Sequence, residues 1–316
     1  LHPLAYVERD STGHLLSIAA DKGTGGQGQR ESLIFMELER VDARARRQFS
    51  DAVQVALGDV RAAVCDWKAM RAEMLSDAAM RLDGEAAELL RWFESGAMLL
   101  LGHEWRSRDG GRAKPLGISA ASHGALLSKA GLEAAFSWFD QGGEAPLLIK
   151  SNRLSTVHRF VMLDLIIVPE MVDGKAARLS VHAGLWTSAA LSVRPDKVPM
   201  LRAELAALMH KFGFDPTGHA GKSLSHTLTA LPHDILIAFR AQELEHLVLT
   251  SMSITDRPRP RIEMVRSALG RHLFAFVWLP RDEVSTLRRQ AVQQILIDAA
   301  KATLVCWSMV LEDGGS

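Results

Sequence analysis

The sequence predicts an α+β fold, with a ferredoxin-like βαββαβ unit at its end, a partial copy at its start and an antiparallel sheet between them. Three observations carry this. The last third alternates in period: extended at 234–239, helical at 244–248, a hairpin over 261–279, helical at 287–299 and extended at 305–311, the split βαβ order. The middle holds strand-like runs with few helices, and Asp173-Gly174 joins two of them as a short hairpin turn. Between middle and end, Val198, Leu201, Leu205, Leu208 and Phe212 fall at helical spacing. These divide the chain into 1–82 (strands, then helices), 83–195 (central antiparallel sheet), 196–232 (helical connector) and 233–316 (βαββαβ).

In chain order, Leu4 to Val7 and Leu15 to Ile18 read as strands about a turn containing Asp10, Ser11 and Gly13. The glycine-rich 21–30 stretch reads as a loop, and Ser32 to Leu38 as a strand with Ile34, Met36 and Leu38 on one face. Phe49, Val53 and Leu57 mark a helix ending at Gly58, after which Asp59 caps a second helix carrying Val60, Val64, Trp67 and Met74. A short helix over Leu89 to Phe93 precedes a strand from Met98 to Trp105. Arg108-Asp109-Gly110-Gly111 turns the chain so that Leu116 to Ser119 pairs back. Further strands are expected at Leu147 to Lys150, Val157 to Val168 and Leu179 to Thr187, and a shorter helix at Leu224, Leu228 and Leu231.

Composition narrows the function classes. With 316 residues and 47% hydrophobic content, the chain can bury sizeable cores. Lys plus Arg and Asp plus Glu both number 37, which argues against a general nucleic-acid or anionic-membrane binder. No apolar run nears the ~20 residues that span a bilayer. The opening Leu1-His2-Pro3-Leu4 has neither the basic nor the apolar part of a signal peptide. It reads as though taken from the middle of something larger. Cys65 and Cys306 form no ligand-spaced pair, and a cytoplasmic location is expected.

Most motifs fall to their context. Gly23-Thr24-Gly25-Gly26-Gln27-Gly28 matches G-x-G-x-x-G, but a strand rather than a helix is expected after it, so it reads as a linker. Gly221-Lys222-Ser223 resembles the end of a P-loop, yet Pro216 stands where the first glycine belongs, and a helix start is the better reading. His219, His226 and His233 would be ~10 Å apart along a helix at ~1.5 Å rise per residue, too far to share one metal. These motifs therefore give no metal site and no nucleotide cofactor to expect in this segment. The arginines around the late hairpin (Arg257, Arg259, Arg261, Arg266, Arg271) read as protection of an edge strand.

One cluster stands out: Ser155-Thr156-Val157-His158-Arg159, with Lys150 and Arg153 close by. Two hydroxyls, an imidazole and cations suit an anion or carboxylate pocket. On a regular strand Thr156 and His158 would face away from Val157 and Arg159, so convergence requires a bulge. Structural, ligand-binding and catalytic roles all stay open on the residues alone. Lys150, Ser155, Thr156, His158 and Arg159 are the candidate effector-binding residues.

The same stretch, Lys150 to Arg159 followed by Leu163-Asp164, resembles the N-terminal region of the large NAD-specific glutamate dehydrogenases of bacteria. Glu8-Arg9-Asp10, Asp66-Trp67-Lys68-Ala69-Met70, Gly184 to Ala190, Pro199 to Arg202, His219 to Leu224 and Val277 to Asp282 continue the likeness in order. The chain departs from the family at Leu101-Gly102-His103-Glu104-Trp105-Arg106 and Pro232-His233-Asp234-Ile235-Leu236. The resemblance implies that the βαββαβ units are ACT-like and the central sheet PAS-like. It also implies that NAD and the catalytic machinery belong to a downstream domain of a longer parent. This segment would then be an inactive regulatory or oligomerising region, a homo-oligomer responding to an amino-acid effector, without nucleic-acid or membrane partners. An assembly scaffold without ligand, a stand-alone sensor, and an enzyme using His158 are the alternatives.

Overall fold

Five strands between residues 98 and 186 pair into one antiparallel sheet. The computed structural model describes residues 4–12, 14–19, 29–32, 34–121, 124–256, 259–304 and 306–310. It divides into two units, residues 1–52 and 53–316.

In the first unit, β1 (Leu4–Arg9) lies between β2 (Leu15–Ala19) and β3 (Gln29–Ser32), antiparallel to both. The Asp10 carboxylate accepts the backbone N–H groups of Thr12 and His14, both at 2.9 Å, closing the expected turn. The glycine-rich 21–28 stretch lies outside the described residues. The strand expected over Ser32 to Leu38 ends at Ser32: the ladder with β1 uses residues 29–32, and Ile34, Phe35, Met36 and Leu38 are exposed without regular structure.

Helix α1 (Ala43–Met80) runs unbroken through Gly58 and Asp59, where a stop and a new cap were expected. A glycine inside a helix costs only about 1 kcal/mol, which the flanking turns absorb. Asp59 does not cap; it is buried and accepts a hydrogen bond from Thr156 Oγ1 at 2.6 Å. Helix α2 (Gly84–Trp92) continues into one π turn, and Gly96 at φ 120° turns the chain into the sheet.

The sheet comprises β4 (Met98–Ser107), β5 (Arg112–Gly117), β6 (Leu147–Leu154), β7 (Met162–Val172) and β8 (Lys175–Trp186) in the order β5-β4-β8-β7-β6. Asp173 and Gly174 both take positive φ, the backbone that a two-residue hairpin between twisted strands requires. Both faces are buried. Ile166, Val168, Met98 and Leu100 pack with Met70, Met74 and Ala78 of α1 and with the later helices. Leu163, Leu165, Ile167, Val181 and Ala183 pack against α3 (Lys129–Asp140). Helix α3 was missed in the sequence, although Ser128 caps it and Leu132, Ala135, Phe136 and Phe139 form its buried stripe.

The helical region holds α4 (Ser188–Leu191), α5 (Leu201–Phe212), α6 (His219–Ala230), α7 (His233–Leu236) and α8 (Ala241–Asp256). Then come β9 (Arg261–Arg266) and β10 (Leu273–Trp278), paired antiparallel, and α9 (Thr286–Ala300). The βαββαβ expectation for 233–316 needs correction at both ends. The expected strand over 234–239 is the helical turn α7, whose buried His233, Leu236 and Ile237 follow a 3–4 residue spacing rather than alternation. The His233 ring also bonds the Leu228 carbonyl oxygen at 2.9 Å, tying this turn to α6. At the other end, residues 306–310 are irregular and exposed, and Val305 and Leu311 lie outside the described residues. What remains is the αββα middle of that pattern.

Candidate functional site

Lys150 is the sequence-predicted site residue with the most telling surroundings. It lies on β6 opposite Asp164 of β7, and its ammonium reaches the Asp164 carboxylate at 2.5 Å and the Asp234 carboxylate at the start of α7. All three side chains are less than one-fifth exposed. Burial pushes the Asp164 carboxyl up to about 6; Lys150 opposes this and Asp234 adds to it. For the Lys150 ammonium, burial pulls its pKa down but the two carboxylates outweigh it, leaving the pKa raised. A cavity of about 20 Å³ opens beside the cluster, bordered also by Trp186, Phe239 and Phe274. That is room for about one water.

The Ser155–Arg159 segment is not strand. Strand β7 begins only at Met162, and the 155–161 loop bulges out between β6 and β7, with His158 at φ 67°. The loop holds itself together. Ser155 N–H donates to Val161 O at 2.8 Å, and Ser155 Oγ both donates to Val157 O and accepts from Val157 N–H. Thr156 reaches Asp59 of α1, while Arg159 donates to the Trp186 carbonyl at the end of β8. His158 is exposed. Of the five candidates only Lys150 lines the cavity; Ser155, Thr156 and Arg159 are drawn to separate partners. Sequence reasoning about face alternation therefore gave a separation of side chains, but for a regular strand that is absent.

A second polar cluster was not foreseen. His103 of β4 and His182 of β8 are directly opposite in register, with ring centroids 4.7 Å apart. His103 Nε2 lies 3.0 Å from Ser180 Oγ, Ser180 Oγ 3.3 Å from His182 Nε2, and His182 Nε2 2.7 Å from Asp77 Oδ2 on α1. Arg81 donates to the other oxygen, Asp77 Oδ1, at 2.8 Å. All four residues Asp77, His103, Ser180 and His182 are at most 1% exposed. Burial, followed by the neighbouring His182 and Lys114, drives the His103 pKa down to about 2, so its ring is neutral. The signal in the sequence was the i, i+2 pair Ser180 and His182 inside an apolar strand. Its partners could be found only from strand register.

Gly221-Lys222-Ser223 lies in the first turn of α6 after Gly218, as the helix-start reading requires. There a Cβ on Gly221 would come within 2.2 Å of the Asp215 carbonyl oxygen, so this glycine allows close backbone packing. No helix among the described residues is long and apolar enough to cross a membrane.

Residues 198–257 match the family model described as glutamate dehydrogenase, helical motif 1, the stretch that folds into α5 to α8. Across 94% of its length the chain is 29% identical to the NAD-specific glutamate dehydrogenases of Pseudomonas aeruginosa and Halomonas elongata, covering 20% of each. It is 24% identical to that of Mycobacterium tuberculosis, again across 94% of the chain and 19% of the relative. The chain thus spans about a fifth of the length of these relatives. The helical stretch and nearly the whole chain are thus similar to a part of the large NAD-specific glutamate dehydrogenases.

Proposed function

We propose that this chain is a non-catalytic, N-terminal regulatory and oligomerising region of an NAD-dependent glutamate dehydrogenase. The parent reaction takes L-glutamate, NAD and water to 2-oxoglutarate, ammonia and NADH, with NAD held by a catalytic domain downstream. The observation that carries the reading is the match of 94% of this chain to a fifth of the relatives' length. The architecture supports it. Every pairing in the five-stranded sheet is antiparallel, whereas dinucleotide crevices form at the carboxyl ends of parallel strands.

On this reading the central sheet is the PAS-like unit, with its last strand seated beside its first. The three-stranded first unit and the αββα of α8, β9, β10 and α9 are the remnants of ACT-like units. The effector acts on Lys150 and the 155–159 loop. That loop bridges α1 through Thr156–Asp59 and the end of β8 through Arg159–Trp186. An amino-acid carboxylate that captured Arg159 would loosen its bridge to Trp186 and bias the packing of α1 on the sheet. Coupling of roughly 1–3 kcal/mol is the usual scale for such linkage. The region works in the cytoplasm and makes no use of nucleic acid or membrane.

Calorimetry of the chain with a panel of amino acids tests this: binding of one amino acid, lost in Arg159→Ala, is expected. Assembly without a ligand is the second reading, favoured by Val55, Leu57, Val60, Val64 and Trp67, which α1 leaves exposed. Silence across the panel together with a concentration-dependent oligomer would replace the first reading by the second.

A further inference from the structure

We propose that Asp77, His103 and His182 form a closed binding site for one divalent transition-metal ion of the zinc type, which clamps α1 to the central sheet. One ligand atom from each residue lies within 4.8 Å of the other two, and the three come from α1, β4 and β8. A tetrahedral ion about 2.0 Å from each ligand needs ligand atoms about 3.3 Å apart. The observed spacing therefore closes on an ion with shifts below the length of a bond. The Ser180 hydroxyl, already between the two rings, supplies the fourth oxygen.

The donor set selects the ion. Two imidazoles and one carboxylate suit Zn²⁺, Co²⁺, Ni²⁺ or Cu²⁺, whereas Ca²⁺ and Mg²⁺ want six or more oxygens. The charges around the site point the same way. Asp77 brings one negative charge and Arg81 one positive charge, and Arg81 also lies 3.7 Å from Glu170. An ion held only by electrostatics would gain little here, so strong nitrogen bonds are required. Arg81 on Asp77 Oδ1 leaves Oδ2 for the ion and fixes the carboxylate plane, as the outer partners of metal ligands do.

Binding takes the Nε2 lone pair of each ring, so the hydrogen between His182 Nε2 and Asp77 Oδ2 gives way to the ion. Neither Nδ1 has a hydrogen-bond partner that fixes the opposite tautomer. Complete burial leaves no open coordination position for a substrate, so the ion is structural.

The test uses the full chain, stripped with a chelator and then titrated with Co²⁺. Binding of one ion per chain is expected, with the visible absorption of a four-coordinate nitrogen–oxygen site, displacement by Zn²⁺ and a melting temperature that rises with metal concentration. His182→Gln and Asp77→Asn should lose the spectrum, and Ser180→Ala, which removes the fourth oxygen, should alter it. Because buried variants can fail to fold, X-ray absorption of the zinc-loaded wild-type chain gives a second readout. Two imidazoles in the first coordination shell are expected. A shell with sulfur from the exposed Cys65 or Cys306, a shell of water oxygens, no stoichiometric binding, or binding undiminished in a folded His182→Gln variant would each overturn the proposal.

Discussion

Replacing Lys150 by Met removes the ammonium that lies between Asp164 and Asp234 while keeping a chain of similar length. In the wild type, ionised Asp164 is already costly. A carboxyl moved from 3.8 to about 6 is disfavoured as an anion by roughly 3 kcal/mol at about 1.4 kcal/mol per pKa unit. Lys150, 2.5 Å away, keeps that cost from being larger. Without it, two part-buried carboxylates face each other, and breaking such a pair costs about 3–5 kcal/mol. The loss depends on pH in a defined direction. A carboxyl whose folded pKa lies above its unfolded value takes up a proton more readily in the folded state, so folding is favoured as pH falls. The Lys150→Met penalty should therefore be full near pH ~8 and shrink toward pH ~5, where Asp164 becomes neutral. Adding Asp234→Asn should recover much of the loss, because only one carboxylate then remains. Urea unfolding followed by tryptophan fluorescence reads this directly, since Trp186 borders the same cavity. A penalty under about 1 kcal/mol, or one equal at both pH values, would refute the buried ion triad.

Three further outcomes follow from other parts of the fold. His103 is held neutral with its pKa near 2, so stability should fall as pH drops below about 6.5, by up to about 1.4 kcal/mol per pH unit. His103→Gln should remove that slope while leaving the opposing Asp164 contribution in place; equal slopes in urea titrations would contradict a buried neutral ring. Gly117 has φ +60°, and an added Cβ would lie 2.2 Å from the Leu101 carbonyl oxygen, so Gly117→Ala should cost more than about 2 kcal/mol. Gly58→Ala should do the reverse. A Cβ there meets nothing within 4 Å inside continuous α1, and a gain of about 0.5–1 kcal/mol in thermal unfolding is expected; a loss would mean the helix breaks at that glycine.

The readable parts of the sequence were those in which local pattern and local pairing agree. Asp173-Gly174, the 261–278 hairpin and α9 each depend on near neighbours, and each formed where the residues indicated. The 234–239 run failed because a short apolar stretch fits a strand or a helical turn equally well, and His233 bonding to α6 decided the matter. Gly58 misled for a related reason: glycine weakens a helix without obliging it to stop. The site was legible only in part. Lys150 stood out as a candidate, but its partner Asp234 is 84 residues away in sequence, within a segment read as strand. Asp77 and His182, 105 residues apart, meet only once α1 has docked and β4 and β8 have paired, and no spacing rule reaches that far.

The claim at the centre is that this chain regulates and does not catalyse. The most direct measurement gives the purified chain L-glutamate and NAD and follows NADH, beside the full-length parent enzyme carrying either wild-type Arg159 or Arg159→Ala. No NADH is expected from the chain alone. Both full-length forms should turn over, with the response to an amino-acid effector lost only in Arg159→Ala. Glutamate-dependent NADH formation by the isolated chain would contradict that claim.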